Sequence, residues 1–260
     1  MSNINEAALQ LRNSSKTKAT CSPVRELIGA TDIEAAYKVQ EINIAERIKN
    51  GAKPVGCKVG LTSFAVQKQL GVDQPDFGIL LDDMVVEQGG TADYSLLMQP
   101  KVEAEVAFVL KSDLPSGDVS ESMLLEAIEY AVASIEIVGS RVENWDIRIT
   151  DTIADNASAS HYVLGTERHA IQGLDLVEYK MKLWLNDEVV SEGRGEACMG
   201  SPINAALWLA NTMGKLGKPL KAGDVILSGA LGPMAPVKPG DRVRASIEGL
   251  GEVSVNFSTI

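Results

Sequence analysis

From Pro54 onward, apolar residues fall mainly into short runs closed by Gly, Pro, Asp or Asn. Runs of that length make strands rather than helices. The segments VGCKVGL, DMVVE, KVEAEVAFVL, ASIEIVG, YKMKLWL, EVVSEG, DVILSG, DRVRASI and GEVSVNF are the strand candidates. They do not alternate regularly with helices, which argues against a doubly wound parallel sheet. Asn186-Asp187 and the EGLGE stretch around Gly249 and Gly251 have hairpin-turn chemistry, so antiparallel pairing is expected. Two helices interrupt the strands. One covers roughly residues 120 to 131, where Ser120 precedes Met123, Leu124, Ala127 and Ile128; the other runs from Ser201, with Pro202 at its first turn, to Gly217. These elements predict an α+β fold with a mixed, mostly antiparallel, rolled or barrel-like sheet.

Residues 1 to 51 have a different texture. In TDIEAAYKVQEINIAERIKNG, Ile33, Ala36, Tyr37, Val39, Ile42 and Ile44 give a helical apolar stripe. Thr31 and Glu34 have capping-box spacing, and Asn50-Gly51 supplies the stop. No low-complexity linker follows. The expected organisation is a helical segment, 1–52, packed on a core domain, 53–260, the two acting as one unit.

A net charge of -11 with no basic run argues against nucleic acid as a partner. No apolar stretch is long enough for a membrane span, and the amino terminus lacks a signal-peptide core. Cys21, Cys57 and Cys198 are odd in number and scattered, which suits reduced thiols and a cytoplasmic location. His161 and His169 sit in no metal or triad signature, and GRGEACMG (193–200) misses the dinucleotide fingerprint because its third glycine comes late. Turn geometry accounts for those glycines.

The strand KVEAEVAFVL carries Glu103 and Glu105 on one face, since strand side chains alternate. A solvated face with Lys101 pairing to them is one explanation. Glu136, between Ile135 and Ile137 in another apolar segment, brings in a second. Three clustered carboxylates repel unless protons or a cation intervene, and carboxylate oxygens are hard ligands that suit Mg2+ or Mn2+. Lys58 in VGCKVGLTS, Asp73 and Asp76 in the turn-rich GVDQPDFG, and Asp155, Asn156 and Ser158 in the polar DTIADNASAS also stand out, although loop and surface positions explain them as well.

Together, KVGLTSFAVQKQLGVDQPDFG, QPKVEAEVAFVL, EIVGSRVENW, DTIADNAS, EGRGEACMGSPINAALWLA and GDVILSGALGPMAPVKPGDRV resemble the 2-keto-4-pentenoate hydratase family of the fumarylacetoacetase-like superfamily, over nearly the whole chain. The resemblance implies the fumarylacetoacetase C-terminal-domain type of fold for 53–260. It implies one Mg2+ or Mn2+ on Glu103, Glu105 and Glu136, proton transfer by Lys58 and Asp76, and a pocket lined by Asn156, Ser158 and Ser228. The implied reaction is hydration of 2-hydroxypenta-2,4-dienoate to 4-hydroxy-2-oxopentanoate in aromatic meta-cleavage catabolism. A small-molecule substrate and a homo-oligomer, with room for association with other pathway enzymes, complete that expectation. Phe77, Leu231 and Met234 are candidates for the apolar end of the pocket.

The nearest alternative is a 4-oxalocrotonate (2-oxo-3-hexenedioate) decarboxylase with the same metal triad. Its group carries an apolar residue where this chain has Asp76, and T-G-G near the present LSGAL. A fumarylpyruvate-type hydrolase would need an amino-terminal His–Glu pair, and no histidine precedes His161. A degenerate scaffold subunit would be expected to have lost acidic ligands, and all three glutamates are present.

Overall fold

The computed structural model describes residues 2–64, 67, 72 and 74–259; Asp73 lies outside the described residues. Helices α1 (Asn3–Thr17), α2 (Arg25–Ile28) and α3 (Ile33–Lys49) open the chain. The cap of α3 is Asp32, whose side chain accepts from the Ala35 N–H at 2.9 Å, and not the expected Thr31 with Glu34. An ionised carboxylate is the stronger acceptor and also complements the positive end of the helix dipole. Gly51, at φ 108°, follows the helix end.

The strands are β1 (Pro54–Gly60), β2 (Asp76–Leu81), β3 (Val85–Val86), β4 (Thr91–Ala92), β5 (Lys101–Leu110), β6 (Ile128–Val138), β7 (Ala159–Leu164), β8 (Lys180–Leu185), β9 (Glu188–Arg194), β10 (Val225–Ala230), β11 (Ala235–Pro236), β12 (Arg242–Ile247) and β13 (Gly251–Phe257). The larger sheet runs β2-β1-β10-β5-β6-β7-β3, with β11 also on β5; the smaller runs β4-β13-β12-β8-β9. Pairs β1–β10, β3–β7 and β4–β13 are parallel and the rest antiparallel, which makes the expected mixed, curled α+β architecture.

Three further helices are α4 (Glu121–Ala127), α5 (Ile149–Ala154) and α6 (Pro202–Lys215). Ser201 caps α6 as expected, accepting from Ile203 N–H. The helix expected over 120–131 stops at Ala127, because IEYAVASIEIV from Ile128 onward is rich in β-branched side chains and extends as β6. The supposed polar loop 151–160 is also different: α5 is buried at every position. Its buried Asp151 pairs with Arg25, and Asp155 at its C-terminal cap pairs with Arg141, while the Thr150 hydroxyl has no hydrogen-bond partner.

The two faces of β5 have different fates. Val102, Ala104, Val106, Phe108 and Leu110 enter the main core, shared with α6 and with Met181, Leu183, Val243 and Ala245 of the smaller sheet. Burying one such large side chain contributes roughly 1.5–3 kcal/mol. A one-residue slip would drive Glu103 and Glu105 into that core, so the register is strongly held. On the opposite face, Ala107 and Val109 join Val132, Leu227, Leu80, Met84 and Tyr162 in a second cluster. A third cluster docks α1 and α3, through Ala8, Leu11, Ala36 and Val39, against Ile149, Ile153 and Ala154 of α5. Among the described residues no helix is long and apolar enough to cross a membrane.

Candidate active site

Strands β5 and β6 lie side by side with Glu103 directly opposite Glu136, and Glu105 follows two positions on along the same face. One carboxylate oxygen from each of the three lies within 4.8 Å of the others. Glu105 is 0% and Glu136 1% exposed. The Gly229 N–H donates to Glu105 Oε2 at 2.9 Å. Glu105 Oε1 and both Glu136 oxygens have no hydrogen-bond partner.

Lys58 Nζ lies 3.2 Å from Glu136 Oε2 and donates to the Ala157 carbonyl at 2.9 Å. Burial alone would lower its pKa, but Glu136, Asp76, Glu103 and Glu105 outweigh that, so Lys58 stays firmly protonated. One ammonium does not balance the cluster. Burial, then Glu136 and Glu103, holds Glu105 well above the usual carboxylate range; burial and Glu103 outweigh Lys58 in pushing Glu136 up to about 7. Glu105 and Glu136, whose Oε1 atoms are buried and without donors, belong to a set of hard ligands with oxygens gathered within 4.8 Å of one another, which fits a divalent cation of the Mg2+ or Mn2+ kind.

A cavity of about 450 Å³ opens beside the triad. Lys58, Asp76, Glu103, Thr152 and Ser158, with Thr62 and Ser63, are its polar lining; Leu61, Val138, Trp145, Ile147 and Met234 are among its apolar lining. Asp76 is 1% exposed, and neither of its oxygens has a hydrogen-bond partner. It reaches this place because Gly60, its cross-strand neighbour, has no side chain. A Cβ on Gly60 would overlap Asp76 Oδ1 and crowd Lys58 Nζ. Gly60→Ala is therefore expected to displace the Asp76 carboxylate by roughly 1 Å and, if that group takes part in the reaction, to lower turnover about 100-fold, with metal affinity unchanged. Steady-state rates beside Mn2+ titration check this, and an unchanged kcat would refute it.

Ala157 and Ser158, from the turn 156–158, form another part of the wall. Asn156, Ala157 and Ser158 have φ of 56°, 51° and 59°, three successive non-glycine residues in the left-handed region. Each costs about 1–2 kcal/mol in isolation. Arg141 holds the turn's start, giving its N–H and guanidinium to the Asp155 side chain and carbonyl. Ser158 thereby faces the cavity, with its Oγ 3.3 Å from Thr152 Oγ1.

Of the residues expected in the site, Glu103, Glu105, Glu136, Lys58, Asp76 and Ser158 are gathered here. Asn156 is not on the cavity: its carboxamide is committed to the backbone of Ile79. It borders instead a wider hollow of about 600 Å³ between α1 and α3, which none of the three glutamates lines. Ser228 is buried in β10 and does not line the cavity; its carbonyl accepts from the Cys198 thiol at 3.1 Å. Phe77 and Leu231 pack in the core, and only Met234 of the expected apolar three lines the cavity. Thr152 and Trp145 were not anticipated. Thr152 sits in a helix too short to show periodicity, and Trp145 in a turn with its indole N–H donated to the Gln99 carbonyl.

The family model for the fumarylacetoacetate (FAA) hydrolase C-terminal region matches residues 62–258. The chain is 50% identical to 2-keto-4-pentenoate hydratase 1 of Dechloromonas aromatica, over 97% of this chain and 96% of that one. The chain belongs to the 2-keto-4-pentenoate hydratase family. Another member, the 2-keto-4-pentenoate hydratase of Paraburkholderia xenovorans, is 48% identical over 98% of this chain and 94% of its own. The 4-oxalocrotonate decarboxylase of Pseudomonas putida G7, solved with magnesium and adipate, superposes with a TM-score of 0.91 at 33% identity, covering 98% and 97%. The alignment with the Dechloromonas hydratase also extends over most of the amino-terminal residues that precede the matched model.

Proposed function

We infer that this protein is a metal-dependent hydratase that converts 2-hydroxypenta-2,4-dienoate to 4-hydroxy-2-oxopentanoate in aromatic meta-cleavage catabolism. The observation that carries the reading is the glutamate triad, with Glu105 and Glu136 buried and carrying orphaned oxygens, beside a cavity holding one ammonium and one carboxylate without a hydrogen-bond partner. Glu103, Glu105 and Glu136 would hold Mg2+ or Mn2+. When bound, the cation supplies Lewis acidity toward the substrate carboxylate and C2 oxygen.

The chain's own groups divide the proton work. Asp76, with free acceptor atoms at the cavity, takes the proton of the 2-hydroxyl. Lys58, held protonated, delivers a proton to C5, which yields the 2-oxo-3-enoate. The proton on Asp76 then passes to the neutral Lys58 amine beside it, which resets both groups. Water adds at C4 as Asp76 accepts its proton, and Lys58 delivers a proton to C3. The Thr152 and Ser158 hydroxyls lie on the same wall and orient the water. The apolar wall of Leu61, Val138, Trp145, Ile147 and Met234 encloses the C5 end.

That wall also separates hydration from decarboxylation of a hexenedioate. A second substrate carboxylate would need a cation, and Lys58 is the only Lys or Arg among the described lining residues. It is engaged by Glu136 and Ala157. Purified protein should remove the dienol ultraviolet absorbance, lose that activity with a chelator, and regain it with Mg2+ or Mn2+. No turnover with added Mn2+ would overturn the reading, and carbon dioxide release from 2-oxo-3-hexenedioate would redirect it.

A further inference from the structure

Strand β2 pairs with β1 on one side only, so the outward backbone groups of its other edge lack a strand partner. Side chains take that place. At Ile79, Asn156 Oδ1 accepts the N–H at 2.8 Å and Asn156 Nδ2 donates to the carbonyl at 2.9 Å. At Phe77 the partners come from α3. Tyr37 Oη accepts the Phe77 N–H at 3.3 Å, and Gln40 Nε2 donates to the Phe77 carbonyl at 2.9 Å. The Tyr37 ring stacks on the Phe77 ring with centroids 4.6 Å apart and planes at 19°. Gln40 is 4% exposed, and the same nitrogen donates to the Ile153 carbonyl of α5 at 3.1 Å.

Phe77 and Ile153 are the chain neighbours of Asp76 and Thr152, two groups of the cavity's polar lining. The backbone N–H, the carbonyl and the ring of Phe77 are all held by two residues of one amino-terminal helix. The Asp76 oxygens have no hydrogen-bond partner at ordinary geometry, with the Lys58 charge and the Thr152 hydroxyl acting on them, so the aim of the carboxylate depends chiefly on how its backbone is held. We propose that Tyr37 and Gln40 are positioning residues that set Asp76 and Thr152 against the substrate, making α3 part of the catalytic apparatus. The inference rests on the hydratase reading, since it assigns Asp76 a role in that reaction.

The test compares the full-length enzyme with Gln40→Met, Tyr37→Phe and, as a control on the outer face of α3, Lys38→Ala, which removes an exposed ammonium paired with Glu34. Turnover by the unaltered enzyme tests the hydratase reading itself, and the variants are read as ratios to it. Gln40→Met is expected to lower kcat about 30- to 100-fold and Tyr37→Phe about 10-fold, the scale of a sub-ångström to 1 Å misplacement. KM and Mn2+ affinity by calorimetry should stay within about 2-fold, and Lys38→Ala should match the parent. An active parent with kcat unchanged in both variants overturns the proposal. So does a parallel loss of kcat, Mn2+ affinity and melting temperature, which would mark a merely structural role. Should Gln40→Met fail to fold, Tyr37→Phe, which keeps the stacked ring, decides alone.

Discussion

Exchange of Glu105 for glutamine is expected to lower Mn2+ affinity by at least about 100-fold and abolish dienol hydration, while leaving the metal-free protein no less stable above pH 7. The opposed signs follow from burial. Without a cation, Glu105 is held well above the normal carboxylate range by burial, Glu136 and Glu103. Its folded-state pKa exceeds its unfolded one, so the folded protein carries protons that the unfolded chain has released. Stability therefore falls as pH rises from the unfolded carboxylate value, about 4.5, through the folded one. Glu136, at about 7, adds to the same trend. A neutral carboxamide at 105 removes one of these titrations and some of the repulsion on the others. Melting in the presence of a chelator at pH 5.5 and pH 8 should show the parent losing stability with rising pH, and Glu105→Gln losing less. Undiminished Mn2+ binding, or a variant that melts well below the parent at pH 8 without metal, would contradict this account.

Lys58→Met should move metal-free stability the other way. The Lys58 ammonium favours the charged forms of Glu136, Glu105 and Asp76, and no other Lys or Arg among the described residues acts on all three. Removing one partner of a buried pair costs about 3–5 kcal/mol, less whatever the carboxylates recover by taking up protons. The chelator-treated variant should therefore melt well below the parent at pH 8, and Mn2+ should restore part of the difference because it binds only the folded state. Hydration should fall about 100- to 10,000-fold, the range for loss of a positioned proton donor. In deuterium oxide, label arriving at C5 should fall in parallel. Label entering C5 at the parental rate would take the proton-donor role away from Lys58, and parental melting without metal would refute the charge argument.

The chain showed some of this plainly and hid the rest for physical reasons. Strand alternation put Glu103 and Glu105 on one face. Their meeting with Glu136 depends on the β5–β6 register, and those strands are separated by a loop and α4, so no local pattern discloses it. There the family resemblance supplied what periodicity could not. β2 escaped notice because it starts at Asp76 and passes through Gly78, residues that normally punctuate turns. Stretch 151–160 reads as a loop because the partner of its buried Asp151 is far away in sequence, at Arg25. Asn156 was conspicuous for its amide, and only the structure shows that the amide completes an edge strand.

The lapse of the β5 row from Glu103 and Glu105 to Ala107 and Val109 has an electrostatic consequence. Beneath the carboxylates lies the apolar cluster of Val132, Leu227, Leu80 and Met84, material of low dielectric that neither solvates nor screens charge. The cavity side holds the polar groups and admits solvent. Field lines from any charge at the triad are thus confined toward the open side, where an anionic substrate arrives. The foundation under the site acts as an insulator, and it gives a charge held there a direction.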